Sequence, residues 1–249
     1  MSKVVAAAAL GTAIVLGSSL ATAQPAAGKE LGKAMDLVFS ADRLFGLHFG
    51  HAYVDNRTPG PFRGGEEVDE NYTTIGFGWP GQAVGQAAGT PFTMARFAFD
   101  IFVIDSLSVG GAIGYTHVDI HHEETPVGAP VNGVYDTDWA SGIFAPRVGY
   151  IWNLGSVVSF WLRGGITYHW ASYGNAAGCG GPGPCDLSQD GWAFTIEPTF
   201  TFSPIEHFAF VGMPYLDIDF TGKTRVPGTF DRTTHYRSFG IAVGLLGWI

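Results

Sequence analysis

Large apolar side chains recur at every second position along most of this chain. In residues 94–104, Phe97 and Phe99 fall on one face, whereas Arg96 and Asp100 fall on the other. Successive side chains of a β-strand point to opposite faces, so this pattern predicts a strand with one apolar and one mixed face. Comparable runs occupy residues 36–54, 108–116, 140–152, 158–170, 192–203, 208–220 and 238–245.

The two faces favour a membrane barrel over a soluble β-sandwich. One face carries Phe, Leu, Ile and Val, and the other carries Gly, Ala, Ser, Thr and isolated charges of both signs. Small and polar residues fill the interior of a narrow barrel, whereas bulky apolar residues face lipid. Charged residues make up only 14% of the chain, against about 25% in a typical soluble protein. Because lipid offers no partner for an open sheet edge, the sheet should close.

The first residues are typical of a secretory signal peptide. Lys3 precedes an apolar stretch over residues 4–16, and Ala21-Thr22-Ala23 matches the small-x-small cleavage pattern. An uncleaved membrane anchor is the less favoured alternative, since Gly17 and the serines after it interrupt the stretch. We therefore expect a signal peptide over residues 1–23, a flexible leader over 24–34 and a barrel over 35–249.

The connections between the runs predict the barrel's topology. Short links at residues 105–107, 153–156 and 203–206 alternate with long ones at 120–138, 171–190 and 221–235. This alternation is typical of outer-membrane barrels, which have tight periplasmic turns and longer surface loops. A weaker run at residues 71–79 is interpreted as part of a large first surface loop. The fold class predicted is all-β, a closed antiparallel up-and-down transmembrane barrel of eight strands, with ten as the alternative.

The last segment, residues 239–249, has apolar residues at alternate positions and an apolar terminal residue. Its residues are Phe239, Ile241, Val243, Leu245, Trp248 and Ile249. It resembles the final strand that the outer-membrane assembly machinery recognises, and residues 36–249 as a whole resemble the small outer-membrane barrels of the outer membrane protein A-like and opacity-like kind. The resemblance implies insertion in the bacterial outer membrane by that machinery, in contact with outer-membrane lipid and lipopolysaccharide. It implies no single function.

Seven charged residues fall on the inward parity of the predicted barrel. An isolated charge in a narrow lumen is costly, so opposite signs should pair there. We expect a salt-bridge network that fills the lumen, and a charged constriction in a narrow pore is the alternative. The residues are Arg96, Asp100, Arg147, Arg163, Glu197, Asp217 and Asp219.

Aromatic residues near the ends of the runs predict two interfacial girdles, where amphipathic rings sit at headgroup level. They are Tyr150 and Trp152 near a short turn, and Tyr168, Trp170 and Trp192 near the surface loops. Cys179 and Cys185 are the only cysteines. An exported chain meets an oxidising compartment, so a disulfide within their loop is expected.

Other chemistry finds weaker support in the sequence. His121-His122-Glu123-Glu124 contains ligands for a divalent cation, but a solvated loop is the favoured interpretation. His169 and Ser172 near Asp190 could suggest a lipid hydrolase, yet no catalytic signature surrounds them. A formal charge of −9 argues against a nucleic-acid partner. We expect no enzyme and no cofactor, and a structural or surface-interaction role; a passive pore and a lipid-modifying enzyme are the alternatives.

Overall fold

The computed structural model describes residues 30–55, 67–76, 91–124, 133–176, 185–225 and 231–249. The predicted signal peptide lies outside these residues. Within them the chain forms antiparallel strands and one 3₁₀ turn at Pro91–Thr93. The strands are β1 Leu37–Asp55, β2 Glu67–Gly76, β3 Arg96–Ile104, β4 Leu107–Glu124, β5 Gly133–Asn153, β6 Val158–Ala176, β7 Cys185–Ile205, β8 Phe208–Arg225 and β9 Arg232–Trp248.

The strands close into a ring of eight positions, which confirms the predicted fold class. Strands β3 to β9 pair in chain order, each with its neighbour in sequence. Strand β1 pairs with β3 on one edge and with β9 on the other, which completes the barrel. One edge of β1 is shared by two short strands, since β3 pairs with residues 37–42 and β2 with residues 46–55. The run at residues 71–79, interpreted above as loop, therefore lies largely in β2, which occupies the same barrel position as β3.

The strands reach well into the segments predicted as long loops. Residues 120–124 and 133–138 continue β4 and β5, and they remain paired as far as Glu124 and Gly133. The predicted loops at 171–190 and 221–235 are likewise shortened by strand residues at both ends. Backbone pairing continues beyond the alternating apolar pattern because hydrogen bonding between strands does not require lipid-facing side chains.

A belt of exposed apolar side chains surrounds the barrel. On β3, Phe97 is 70% exposed and the preceding Arg96 is buried. On β4, Ile113 is 59% exposed and the preceding Ala112 is buried. The same alternation runs around the other strands. Exposed members include Phe39, Phe99, Val109, Phe144, Val148, Leu162, Ile166, Phe194, Phe200, Phe210, Leu216, Phe239, Ile241 and Val243. Such a belt on a closed antiparallel barrel with a polar interior is suited only to lipid.

The chain is therefore an integral β-barrel of the bacterial outer membrane. The tight turns at residues 105–106, 154–157 and 206–207 mark its periplasmic end, because outer-membrane barrels keep their short turns on that side. Leu37 at the start of β1 and Trp248 at the end of β9 lie at the same end. Among the described residues, no helix is long and apolar enough to cross a membrane.

Candidate functional site

The middle of the lumen contains a cluster of four arginines and four carboxylates, all buried. We call it the lumen charge cluster. Its cations are Arg43, Arg96, Arg147 and Arg163, and its anions are Asp42, Asp100, Glu197 and Asp217. Equal numbers of opposite charges explain how so many ionised groups can remain in a narrow interior, since a buried charge needs a partner and satisfied hydrogen bonds.

Glu197 on β7 is the centre of this cluster, since its carboxylate contacts every one of the four guanidinium groups. Oε1 accepts from Arg43 Nη2 at 2.9 Å and lies 3.5 Å from Arg96 Nη1. Oε2 lies 3.2 Å from Arg147 Nη1 and 3.4 Å from Arg163 Nη2. One carboxylate thus links strands on several sides of the lumen.

The remaining carboxylates hold the outer parts of the cluster. Arg147 binds Asp100 through two nitrogens, with Nη2–Oδ2 at 2.6 Å and Nε–Oδ1 at 3.1 Å. The same guanidinium donates to Asp42 Oδ2 at 2.8 Å. Arg43 donates to Asp217 Oδ2 at 2.7 Å. Bidentate, charge-assisted hydrogen bonds are among the strongest in proteins. The cluster therefore fixes the positions of these strands relative to one another.

Asp42 and Arg43 are adjacent in β1, yet both are fully buried. The pairing of β1 with β9 is interrupted between Ala41 and Phe45, where three residues of β1 oppose the single Gly244. Arg43 adopts a left-handed backbone with φ 55° at this bulge. A bulge bends its strand and re-aims a side chain. Here it turns Arg43 from the lipid-facing parity into the lumen.

Small residues on two strands make room for the long side chains. Strand β4 contributes Gly110 and Ala112 to the inner wall, and β9 contributes Gly240 and Ala242. A Cβ at Gly110 would lie 2.5 Å from Asp100 Oδ1, and one at Gly240 would lie 2.7 Å from the Tyr215 hydroxyl. Glycine is thus required where the Asp100 carboxylate and the Tyr215 hydroxyl approach the wall.

Below the charge cluster, the periplasmic end of the lumen is apolar. Trp161 packs against Phe102 with ring centroids 5.4 Å apart, and Trp248 and Leu31 belong to the same buried group. Trp161 lies on the inward parity of β6 and is fully buried. Its indole N–H donates to Ser108 Oγ at 3.2 Å, which satisfies the polar atom of the ring.

The segment preceding β1 covers this end of the barrel. Leu31, predicted to belong to a flexible leader, is buried in the apolar layer. Its carbonyl accepts a hydrogen bond from Asn153 Nδ2 at 3.2 Å, and the Ser106 amide donates to the Gly32 carbonyl at 2.8 Å. A cavity of about 300 Å³ remains beside it, bounded by Glu30, the turn at residues 155–157 and Trp248.

Asp219 lies apart from the other six charged residues predicted for the lumen. Its Oδ1 contacts His169 Nε2 at 3.2 Å, nearer the extracellular end. Phe92, from the 3₁₀ turn, lies edge-on to His169 with centroids 5.0 Å apart. The Phe92 carbonyl accepts from Arg43 Nη1 at 2.6 Å. The 3₁₀ turn therefore sits inside the barrel, on top of the charge cluster.

Of the predicted lumen residues, the structure brings together Arg96, Asp100, Arg147, Arg163, Glu197 and Asp217. Sequence reasoning missed Asp42 and Arg43. The signal available for Arg43 was a lone positive charge at the lipid-facing parity between Phe39 and Phe45. A charge there would be costly in lipid, which predicts a local break in the alternation.

The predicted interfacial aromatics lie on the outer wall in two groups. Tyr150 and Trp152 are in contact near the periplasmic turn, with centroids 4.7 Å apart. Tyr168 lies 5.0 Å from Trp192 and 6.1 Å from Trp170 at the other end of the belt. In the last strand, Phe239, Ile241, Val243, Leu245 and Ile249 are exposed, whereas Trp248 points into the lumen.

The remaining candidates are not assembled into a site within the described residues. Cys179 lies outside them, so its disulfide with Cys185 stays a prediction. The backbone of residues 121–124 belongs to β4 instead of a loop, and the side chains there lie outside the description. Within the described part of the chain, no three His, Cys, Asp or Glu side chains are grouped to hold a metal ion. Ser172 is exposed and His169 buried, on opposite sides of the β6 wall.

Comparisons with known proteins find outer-membrane barrels among solved structures. The outer membrane protein OprG from Pseudomonas aeruginosa is 11% identical, covers 88% of this chain and 97% of its own, and has a TM-score of 0.49. Outer membrane protein AlkL is 12% identical over 90% and 94%, with a TM-score of 0.47. The Escherichia coli outer membrane protease OmpT is 9% identical over 86% and 97%, with a TM-score of 0.40. No family model and no curated protein matches the chain.

Proposed function

We propose that this protein is a sealed outer-membrane barrel with a structural or surface-interaction role. In this proposal the lumen is filled, so the barrel does not conduct solutes. Its function depends on the surface at its extracellular end and on the stability of the barrel in the membrane. The single observation that carries the proposal is the buried charge cluster across the lumen.

The cluster supports a plug because it draws side chains from most of the barrel wall. It takes residues from six of the eight strand positions, those of β1, β3, β5, β6, β7 and β8. A charged constriction in a pore keeps its groups hydrated so that ions can pass. Here the guanidinium groups are bound by carboxylates, and both partners of each contact are almost fully buried. Eight strands give an interior that side chains can fill.

The apolar layer below the cluster is a second barrier. Trp161, Trp248 and Phe102 fill the periplasmic end, and Leu31 caps them from the segment before β1. An ion that passed the charged layer would next meet a layer that offers few polar groups. Two barriers of opposite chemistry in series favour a closed barrel over a narrow passive pore.

The length of the strands supports a role outside the membrane. Strands β5 and β7 each contain 21 residues. At a rise of about 3.3 Å per residue and a tilt of about 40°, such a strand stands roughly 50 Å tall, about twice the height of the apolar band of a barrel. The β-sheet thus projects beyond the apolar belt on the extracellular side, for example over residues 185–191 of β7, as a rigid support for the loops.

Planar-bilayer recording of the purified, folded protein tests the proposal. We expect no steady channels, because no water-filled path crosses both layers. Folding is checked in the same sample by gel migration, where the unboiled barrel should run faster than the boiled chain. Steady single-channel currents from the unmodified protein would refute the sealed-lumen proposal and favour the pore.

A lipid-modifying activity is tested separately. The proposal expects unchanged lipid A and phospholipid masses in cells that express the protein, because His169 is enclosed by Phe92 and Tyr236, and Ser172, the nearest serine along β6, lies on the opposite side of the wall. A mass change that is abolished by His169→Ala would contradict it.

A further inference from the structure

Among the described residues, basic side chains outside the lumen are concentrated on one hairpin. Apart from the four cluster arginines and Lys33 on the periplasmic side, every Lys and Arg among the described residues lies on β8 or β9. They are Lys223, Arg225, Arg232 and Arg237. The chain carries a formal net charge of −9, so this concentration is not a general property of its surface.

Three of these residues point outward, each beyond the last exposed apolar side chain of its own strand. On β9, exposed apolar residues end with Phe239, and Arg237 is the next outward position. On β8 they end with Phe220, and Lys223 and Arg225 are exposed beyond it. On neighbouring β7 the belt ends at Trp192. Trp192 pairs with Thr221, so Lys223 and Arg225 lie just beyond an interfacial Trp, where lipid headgroups begin. Arg237 pairs with Ile218 and so lies nearer the centre of the membrane.

The hairpin geometry spreads the positive charge along the strand direction. Lys223 pairs with Thr233, four residues from Arg237 on β9. At about 3.3 Å per residue, the two cations are anchored roughly 13 Å apart along the strand. A bulge in β8 between Ile218 and Lys223 turns both Phe220 and Thr221 outward and so extends the apolar belt directly to the cations.

Two acidic side chains of the described residues lie near these cations, Asp190 on β7 and Asp231 just before β9. Asp190 on β7 is bound by Arg225 Nη1. Within the described part of the chain, neither Lys223 nor Arg237 has a hydrogen bond or ion pair with a carboxylate. Two exposed cations thus remain available to a ligand, with a neutralised pair beside them.

We propose that Lys223 and Arg237, assisted by Arg225, form a binding site for the phosphate groups of an outer-leaflet lipid. The apolar belt below would contact the acyl chains of the same molecule, and the cations would bind its phosphorylated headgroup. Guanidinium and ammonium groups are the natural ligands of phosphate oxygens. The inference rests on the membrane location and on the outer wall, and it is independent of the sealed lumen.

The test titrates the folded full-length barrel in detergent micelles with bisphosphorylated lipid A and measures the bound fraction by native mass spectrometry. Lipid A from which both phosphates have been removed is the matched probe, and it requires no change to the protein. We expect binding of the dephosphorylated lipid to be at least tenfold weaker. Equal binding of the two lipids would overturn the proposal.

A double variant, Lys223→Gln with Arg237→Gln, leaves the Asp190–Arg225 pair in place. It should bind the bisphosphorylated lipid at least tenfold more weakly than the unmodified protein, and the single variant Arg237→Gln should account for part of the loss. Lys33→Gln removes an exposed charge on the periplasmic side and should leave binding unchanged. An unaffected double variant, or an equal effect of Lys33→Gln, would refute the site.

Free inorganic phosphate at millimolar excess distinguishes the lipid from a soluble anion. It should displace little lipid A, because it lacks the acyl chains that contact the belt. Full displacement at that concentration would overturn the assignment to a lipid. Planar-bilayer silence is unaffected by any of these results, so failure here is distinct from failure of the sealed-lumen proposal.

Discussion

Removal of the central carboxylate tests how the lumen charge cluster stabilises the barrel. Glu197→Gln keeps the shape of the side chain and removes its negative charge. The cluster would then hold four arginines against three carboxylates, with no negative charge at position 197 between the four guanidinium groups. Breaking a buried charge pair by removing one partner typically costs about 3–5 kcal/mol. We expect a loss of this size in the free energy of unfolding.

The loss can be measured by urea unfolding in lipid vesicles, followed by tryptophan fluorescence and by the heat-dependent gel shift. Glu206→Gln, at the exposed periplasmic turn, is the matched control and should change the stability by less than about 0.5 kcal/mol. A control that destabilises as much as Glu197→Gln would show that the charge cluster is not the cause.

A second substitution tests whether the loss of charge balance causes the destabilisation. Arg163 contacts Glu197 at 3.4 Å and Asp42 at 3.1 Å. Combining Arg163→Met with Glu197→Gln restores the balance of charges, so the double variant should be more stable than the sum of the single effects by about 1 kcal/mol or more. Strictly additive effects, or a Glu197→Gln variant as stable as the unmodified protein, would refute the reasoning.

Further predictions concern packing, the belt and the periplasmic cap. Gly165→Ala places a Cβ 2.0 Å from a carbonyl oxygen of the neighbouring strand. It should destabilise the barrel by about 1–3 kcal/mol in the same urea titration. Gly212→Ala, which has open space around it, is the control and should be neutral. Phe97→Arg in the belt should cost about 2–4 kcal/mol, and Thr221→Arg above it about 0–1 kcal/mol; equal costs would contradict the assigned depth. Leu31→Ala should cost about 2–5 kcal/mol yet leave planar bilayers silent, because the charged layer remains.

The alternation of residue types was sufficient to predict the barrel and the direction of most side chains. The period of two assigns Phe97 to lipid and Arg96 to the lumen without any knowledge of the fold, because a β-strand alternates its side chains whatever its neighbours are. The alternation puts charged residues on the inner face. Because an unpaired charge in a narrow lumen is costly, the charges there were expected to balance. Six of the eight cluster residues were identified in this way.

The tertiary structure decided features that depend on breaks in the pattern. The bulge in β1 turns Arg43 inward, where its guanidinium donates to Glu197 and Asp217, more than 150 residues away. The sharing of one barrel position by β2 and β3 depends on which segments pair with β1. Local periodicity does not say which carboxylates meet Arg43, nor which segments pair with β1.

Contacts between distant inward residues likewise could not be derived from the sequence. Parity places Asp219 and Asp217 on the same inner face, yet it does not say which cation each one meets. The height of a residue in the barrel depends on strand register, and register depends on pairing along the whole strand. Register places Asp219 beside His169, above the cluster, and Trp161 beside Phe102 below it. The sequence alone determined which side of the wall a residue faces, and the closed sheet decided which residues meet across the lumen.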